Sequence, residues 1–206
     1  IARIRSKEFL KPVWKNLFSK ENLPIDIIIS PEFEVAKSLY RKLEAPGAID
    51  SIPFADDMVR LLEIQIDEKC PLLNTSLSKL SEIFSDLQAN VLGAIRKDKF
   101  IIFKKTDKLL KDDKAFVLTN SKQVDRTLSI FGRDEKFAKT ILIIGAGNIG
   151  LDLAKLLEED EQKPRIKIIE KNPERAEKIA TDLNEAIVIK GDGLDAVSYT
   201  HLTLPT

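Results

Sequence analysis

The apolar residues of this chain fall into two rhythms that alternate along its length. Ile1-Ala-Arg-Ile-Arg5 and Ile25-Asp-Ile-Ile-Ile29 have the density of short buried strands, and each is followed by a helical pattern. Glu8 to Phe18 places Phe9, Val13, Trp14 and Phe18 at helical spacing, with Pro12 tolerable near the start. Ser30-Pro31 is a helix opening, with Ser as the cap and Pro at the first helical position. The helix that follows gathers Phe33, Ala36, Leu39, Tyr40 and Leu43 on one face, and Pro46-Gly47 stops it. Strand, helix, strand, helix is the order of a doubly wound α/β sheet, buried on both faces. Residues 1–50 therefore read as the closing part of such a domain.

Residues 51–137 change rhythm. Met58 to Ile66 approaches strict alternation, with Leu62, Ile64 and Ile66 on one side and Glu63 and Gln65 on the other. That predicts a sheet with one wet face. Thr75 or Ser76 caps a helix bearing Leu77, Leu80 and Phe84. Val91 to Arg96 and Phe100 to Phe103 make a hairpin around Lys97-Asp-Lys99, and Lys111-Asp-Asp113 makes another turn. Ala115 to Thr119 is a strand and Val124 to Phe131 a final helix. The sum is a small α+β domain, short enough to favour pairing with a copy of itself.

Residues 138–196 return to the α/β rhythm and carry the most specific motif. The apolar run Ile141 to Ile144 leads into Gly145-Ala-Gly-Asn-Ile-Gly150, then an amphipathic segment from Leu151 to Glu159, then Ile166-Lys-Ile-Ile-Glu170. A Gly-x-Gly-x-x-Gly alone is weak evidence. Between a strand and a helix, with an acid ending the next strand, it is the fingerprint of a dinucleotide-binding Rossmann-like fold. Gly145 permits the tight turn, Gly147 clears space for a pyrophosphate, and Gly150 lets helix and strand approach. Ala146, Asn148 and Ile149 complete the turn, whose amides and helix dipole favour an anion. Glu170 is expected to accept hydrogen bonds from a ribose diol and to repel a 2′-phosphate, which favours NAD(H). A helix from Pro173 to Leu183 and a strand from Ala186 to Ile189 follow. Asp192, in Gly191-Asp-Gly193 at that strand's carboxyl end, reads equally as an adenosine neighbour and as an ordinary turn.

Charge narrows the partners. Lys plus Arg and Asp plus Glu both number 33, which gives no support to nucleic acid as a partner. Cys70 is the only cysteine, so a disulfide framework within the chain is excluded. No apolar run approaches the ~18 residues that span a bilayer. His201, the only histidine, lies in 197–206, a tail that resembles a translated adaptor and is set aside from the fold. The opening inside a strand suggests that the chain is part of something longer. No nucleophile–base set and no metal-ligand cluster is visible; Asp56-Asp57 and Asp112-Asp113 read as solvated turns.

The order of these blocks is itself informative. With Ile-Ala-Arg-Ile-Arg, Ile-Asp-Ile-Ile-Ile-Ser-Pro-Glu and Ile-Gly-Ala-Gly-Asn-Ile-Gly, it resembles the RCK (KTN) family of Trk-type cytoplasmic subunits that regulate potassium conductance. The resemblance covers about residues 1–196. It implies the end of one Rossmann-like module (1–50), its small C-terminal domain (51–137), and the start of a second, NAD-binding module (138–196). It implies a non-enzymatic regulator lying on the cytoplasmic face of the membrane, a homo-oligomer partnered with an integral potassium-translocating subunit. Gly145 to Ile149 match the family's phosphate-binding turn and Glu170 its ribose-binding acid. Arg3 matches a basic residue facing the first module's nucleotide, and reads equally as a strand-end surface charge. Asn148 stands where some relatives place an arginine, which weakens an ATP-selective site; competition by ATP or ADP stays open. Position makes the helix from Pro31 to Glu44 a connector between module and small domain. Two alternatives remain: an NAD-dependent oxidoreductase with its substrate domain elsewhere, and the RCK region of a channel.

Overall fold

The computed structural model describes Ala2, Arg3, Val13, Leu17, Asn22, Ile25 and every residue from Ile28 to Asp195. The helix expected over Glu8 to Phe18 and the tail bearing His201 lie outside the described residues. In chain order the elements are β1 (Ala2–Arg3), β2 (Ile28–Ile29), α1 (Pro31–Glu44), β3 (Asp50–Phe54), β4 (Val59–Gln65) and α2 (Leu77–Ile83). There follow β5 (Ala89–Arg96), β6 (Lys99–Ile102), β7 (Lys114–Asn120), α3 (Val124–Ile130), β8 (Thr140–Ile144), α4 (Asn148–Glu158), β9 (Arg165–Glu170), α5 (Pro173–Asp182) and β10 (Ile187–Lys190). The chain divides into two compact units, one drawn from residues 1–40 and 138–206, the other from 41–137.

In the first unit β8, β9 and β10 pair in parallel in that order, and β1 pairs in parallel with β2. Parallel neighbours require crossovers, and α4 and α5 supply them. Ile141, Ile143, Ile166 and Ile168 are buried, as are Leu153 and Leu157 of α4 and Ile179 of α5. Burial on both faces holds for the end of β9 but not for β8, whose Leu142 and Ile144 are exposed. Glu158 fastens the return into β10: its Oε1 accepts from the amides of Asn184, Glu185 and Ala186 at 3.0, 2.7 and 2.9 Å. Tyr40 Oη of α1 donates to Asp160 Oδ2 at 2.6 Å. The expected Ser30 cap of α1 is made by the backbone alone: Ser30 O accepts from Glu34 N, while Ser30 Oγ is buried without a partner among the described residues.

The second unit is an antiparallel sheet of order β3-β4-β7-β5-β6. Its inner face buries Leu62, Ile64, Ala115 and Val117 against Leu80, Leu128 and Phe131. The edge strand β3 is unannounced in the sequence, because Pro53 interrupts its pattern and an edge is where a strand tolerates proline. The β5–β6 hairpin turns on Lys97 and Asp98, both at positive φ as a tight hairpin requires. Gly93, at a bulge in β5, admits no side chain: a Cβ there would lie 2.2 Å from Ile101 O. The outer face is less wet than alternation in β4 alone suggests. Beside Glu63 and Gln65 it carries Leu61, Phe116 and Leu118, and Phe100 packs edge-on to Phe116 at 5.6 Å. Between α2, the end of α3 and the sheet the packing leaves a void of about 180 Å³.

Two arginines, Arg60 and Arg96, anchor ion pairs that lock this unit. Arg60 of β4 reaches Glu44, the last residue of α1, at 3.0 Å and Asp57 of the β3–β4 turn at 2.7 Å. Both carboxylates hold the guanidinium firmly in its charged form. Asp113 is the partner of Arg96, and it corrects the reading of Asp112-Asp113 as a solvated turn. Its side chain is fully buried and accepts from Arg96 Nε and Nη2 at 2.8 and 2.7 Å and from Leu110 N at 2.9 Å. Its own carbonyl accepts from Ile66 N. Asp112 alone keeps the exposed, left-handed turn position, at φ 69°.

Replacing Asp113 by Ala leaves Arg96 half in the protein without its counter-charge and should cost on the order of 3 kcal/mol. Asp112→Gly, which suits the positive φ, should change stability by less than ~1 kcal/mol. Urea unfolding of the two variants checks both values.

Candidate functional site

The site is built where β8 ends. Gly145 takes φ 88°, a conformation that a side chain disfavours, and its N–H donates to Ile169 O at 2.8 Å. The turn is thereby tied to β9 while reversing toward α4. Gly147 is the N-cap of α4, and a Cβ built on it would meet nothing within 4 Å. It opens onto the space at the helix start. Gly150 is the opposite case: a Cβ there would lie 2.2 Å from Gly145 O and 3.2 Å from Ile143 Cγ2. Each glycine thus serves a different steric need. No side chain caps α4, and its first turn carries no acid. The orphan amides and the positive end of the helix dipole are left to an anion from outside.

Glu170 faces this turn from the end of β9. It is buried, and its two oxygens bridge the elements: Oε2 accepts from Ala146 N at 2.9 Å and Oε1 from Asn172 N at 2.8 Å. The Asn172 amide above all, then the Ala146 amide and the charge of Arg175, hold the carboxyl below the ordinary glutamate range against the opposing effect of burial. Each carboxylate oxygen retains a further acceptor direction. The acid is therefore part of the turn's scaffold as well as a group at its edge.

Asp192 lies at the same carboxyl edge of the sheet, since Gly191 N donates to Glu170 O. Its Oδ2 pairs with Lys171 Nζ at 2.8 Å and its Oδ1 accepts from Leu194 N at 3.0 Å, and Lys171 lowers its pKa. The following glycine is sterically required, because a Cβ at Gly193 would lie 2.3 Å from Ile144 Cγ2. Arg3 is exposed on β1, in the separate two-stranded sheet. The structure thus gathers Gly145, Ala146, Gly147, Asn148, Ile149, Gly150 and Glu170 into one turn, with Asp192 beside it. Arg3 stands on another element.

Sequence reasoning passed over Arg175 and Lys178. With Ala146, Gly147, Asn148 and Leu151 they line a cleft of about 370 Å³ beside the glycine turn. Both are exposed cations on α5, whose start is capped by Asn172 Oδ1 accepting from Arg175 N. Their spacing of three on the helix after Glu170 was the available signal. A second cleft, on the other side of the turn, includes Glu32 and Leu39 of α1 with Ile144, Gly147 and Ile149. Among the described residues no cluster of His, Cys, Asp and Glu could hold a metal ion. No described helix is long and apolar enough to cross a membrane.

Fold and turn together define a dinucleotide-binding module joined to an antiparallel α+β domain. Residues 141–202 match the TrkA-N domain family and residues 61–132 the TrkA-C domain family. The chain thus carries a TrkA-C domain followed by a TrkA-N domain. It is 41% identical over 194 residues to the Trk system potassium uptake protein TrkA of Azorhizobium caulinodans, covering 94% of this chain and 42% of that one. To the protein of the same name from Vibrio alginolyticus it is 35% identical over 195 residues, 95% of this chain and 42% of the relative. It thus spans less than half the length of these curated relatives. Among solved structures, the GsuK channel bound to NAD aligns with a TM-score of 0.54 at 12% identity over 98% of this chain and 33% of that one. The GsuK RCK domain aligns at 0.51 and 16% identity, over 94% of this chain and 40% of its own. At these identities the likeness is one of fold.

Glu170→Gln keeps one carbonyl oxygen for two amide donors, so one buried N–H loses its acceptor and the protein should lose about 1–3 kcal/mol. In the wild type the lowered pKa makes this contribution complete above the unfolded glutamate value of ~4.3, and it is lost as pH falls through the folded value. Denaturant unfolding between neutral pH and pH 3 should therefore show an acid-side loss of stability that shrinks in the variant.

Proposed function

We propose that this chain is part of an NAD(H)-binding regulatory protein that gates a membrane potassium uptake system. The observation that carries the nucleotide half is the glycine turn: open space at Gly147, an uncapped α4 start, and Glu170 fastened to the same backbone. In this reading the pyrophosphate sits over Gly145, Ala146, Gly147, Asn148, Ile149 and Gly150, and the ribose meets Glu170. Asp192 borders the adenosine side. Arg3 belongs to the neighbouring module's site.

The potassium half rests on the family and on the names of the relatives. The partner is then an integral potassium-translocating subunit, and the chain acts as an oligomer on the cytoplasmic face. It is not an enzyme in this reading. The nucleotide works by binding one arrangement of the modules more tightly than another, and commonly ~1–3 kcal/mol of such coupling is enough to shift a gate. Helix α1 suits the connector role: it begins in the first unit, ends in the second, and its last residue is clamped by Arg60. Asn148 supplies no cation to a further phosphate, so NAD(H) is favoured over ATP; Arg175 and Lys178 line the cleft beside the turn.

Calorimetry on the full-length protein with NADH, NADP, ATP and ADP tests the proposal. NADH should bind, and Gly147→Val, which puts a branched side chain into the phosphate space, should weaken it by more than about tenfold, or ~1.4 kcal/mol. NADH should be recovered unoxidised. Hydride transfer in the same sample would favour an oxidoreductase, and absence of binding to every nucleotide would remove the basis of the regulatory reading.

A further inference from the structure

We infer that the void beneath α2 is a binding site for a small, neutral, mainly apolar molecule with one hydrogen-bonding group. It lies wholly within the small unit and rests on nothing in the nucleotide site. Its walls are Leu77, Leu80 and Phe84 from α2 and its C-cap, Val91 of β5, Val117 of β7 and Phe131 after α3. No charged side chain lines it. A charged group placed deep in it would shed its hydration without a counter-charge, which favours a neutral ligand there. The polar residues of the lining are Ser85 and Asn90, both exposed, so a ligand's polar group belongs at that edge and its apolar body inside.

Size narrows the choice further. At about 180 Å³ the pocket, open to solvent on one side, has room comparable to an apolar cavity of about 150 Å³ that takes up benzene. One aromatic ring with a short substituent fits; a drug-sized molecule does not.

The surrounding structure holds one side of the void and leaves the other movable. The segment after α2 is pinned, with Arg126 Nη2 bonded to Asp86 at 2.9 Å and Gln88 N to Gln123 Oε1 at 2.7 Å. Helix α2 itself is short, and its N-cap Ser76 makes no side-chain cap. Backbone bonds from Leu77 N to Asp107 O and from Ser78 N to Lys105 O hold only its start. Leu77, Leu80 and Phe84 of this roof are residues that a ligand would touch. Filling the pocket therefore adds contacts to α2.

The test uses the full-length protein and benzyl alcohol, with benzoate as its charged counterpart. Methyl NMR should show saturable one-to-one binding of benzyl alcohol with shifts at Leu80 and Val117, a rise in Tm, and no such effect from benzoate. Ala89→Leu, which places three extra carbons in the void, should keep or raise the Tm of the free protein and weaken benzyl alcohol by at least tenfold. Val91→Leu serves the same end should Ala89→Leu fail to fold. Gly147→Val should leave this binding unchanged, which separates it from the nucleotide reading. The inference is overturned if benzyl alcohol produces no saturable shift at these methyls. Equal response to benzoate, or undiminished binding in a folded cavity-filling variant, would overturn it too.

Discussion

A single buried carboxylate organises the nucleotide-binding half of this chain. Glu170 joins the glycine turn to the start of the next loop through the amides of Ala146 and Asn172. Without it, the backbone at Ala146 would have one more buried donor to satisfy and no fixed distance to β9. The arrangement also places a negative charge beside a site built for anions. That is tolerable because the charge is already spent on amides, and because the α4 dipole and Arg175 stand on the other side of the balance.

The small domain is organised by arginines in a comparable way. Arg96 and Asp113 bind the β5–β6 hairpin to the turn before β7, and Arg96 Nη2 also reaches Lys108 O. Arg60 joins the β3–β4 turn to the end of α1. Buried or half-buried pairs of this kind contribute little net stability but are costly to break, so they specify geometry more than they add free energy. The second of these clusters fixes the end of α1 within the small domain. The apolar void under α2 is the complementary feature, a part of the same domain where geometry is under-specified and a ligand can complete it.

Local patterns were legible where the physics is local. The tight turn, the close approach at Gly150 and the acid at the end of the next strand act over a few residues, and the residue types alone announce them. The β5–β6 hairpin and helix α1 were legible for the same reason. The β3 strand was not, because Pro53 breaks its pattern and its pairing with β4 is a tertiary event. Asp113 was misread because a turn acid is solvated by default; only the approach of Arg96, seventeen residues away in sequence, makes its burial affordable. Arg175 and Lys178 escaped because helix periodicity places them on a face without saying what that face overlooks.

The sequence by itself determined the element order, the glycine turn with its paired acid, and the resemblance to a nucleotide-sensing family. Those depend on short-range sterics and on hydrogen-bonding groups whose partners lie close along the chain. Only the tertiary structure decided that Glu170 is a bridge as well as an edge group, and that Asp192 is paired with Lys171. It also decided that Arg3 lies on a sheet apart from the glycine turn, and that the small domain has a pocket lined by no charged side chain. Each of these depends on which distant side chains arrive at the same place, and so on packing that no local pattern encodes.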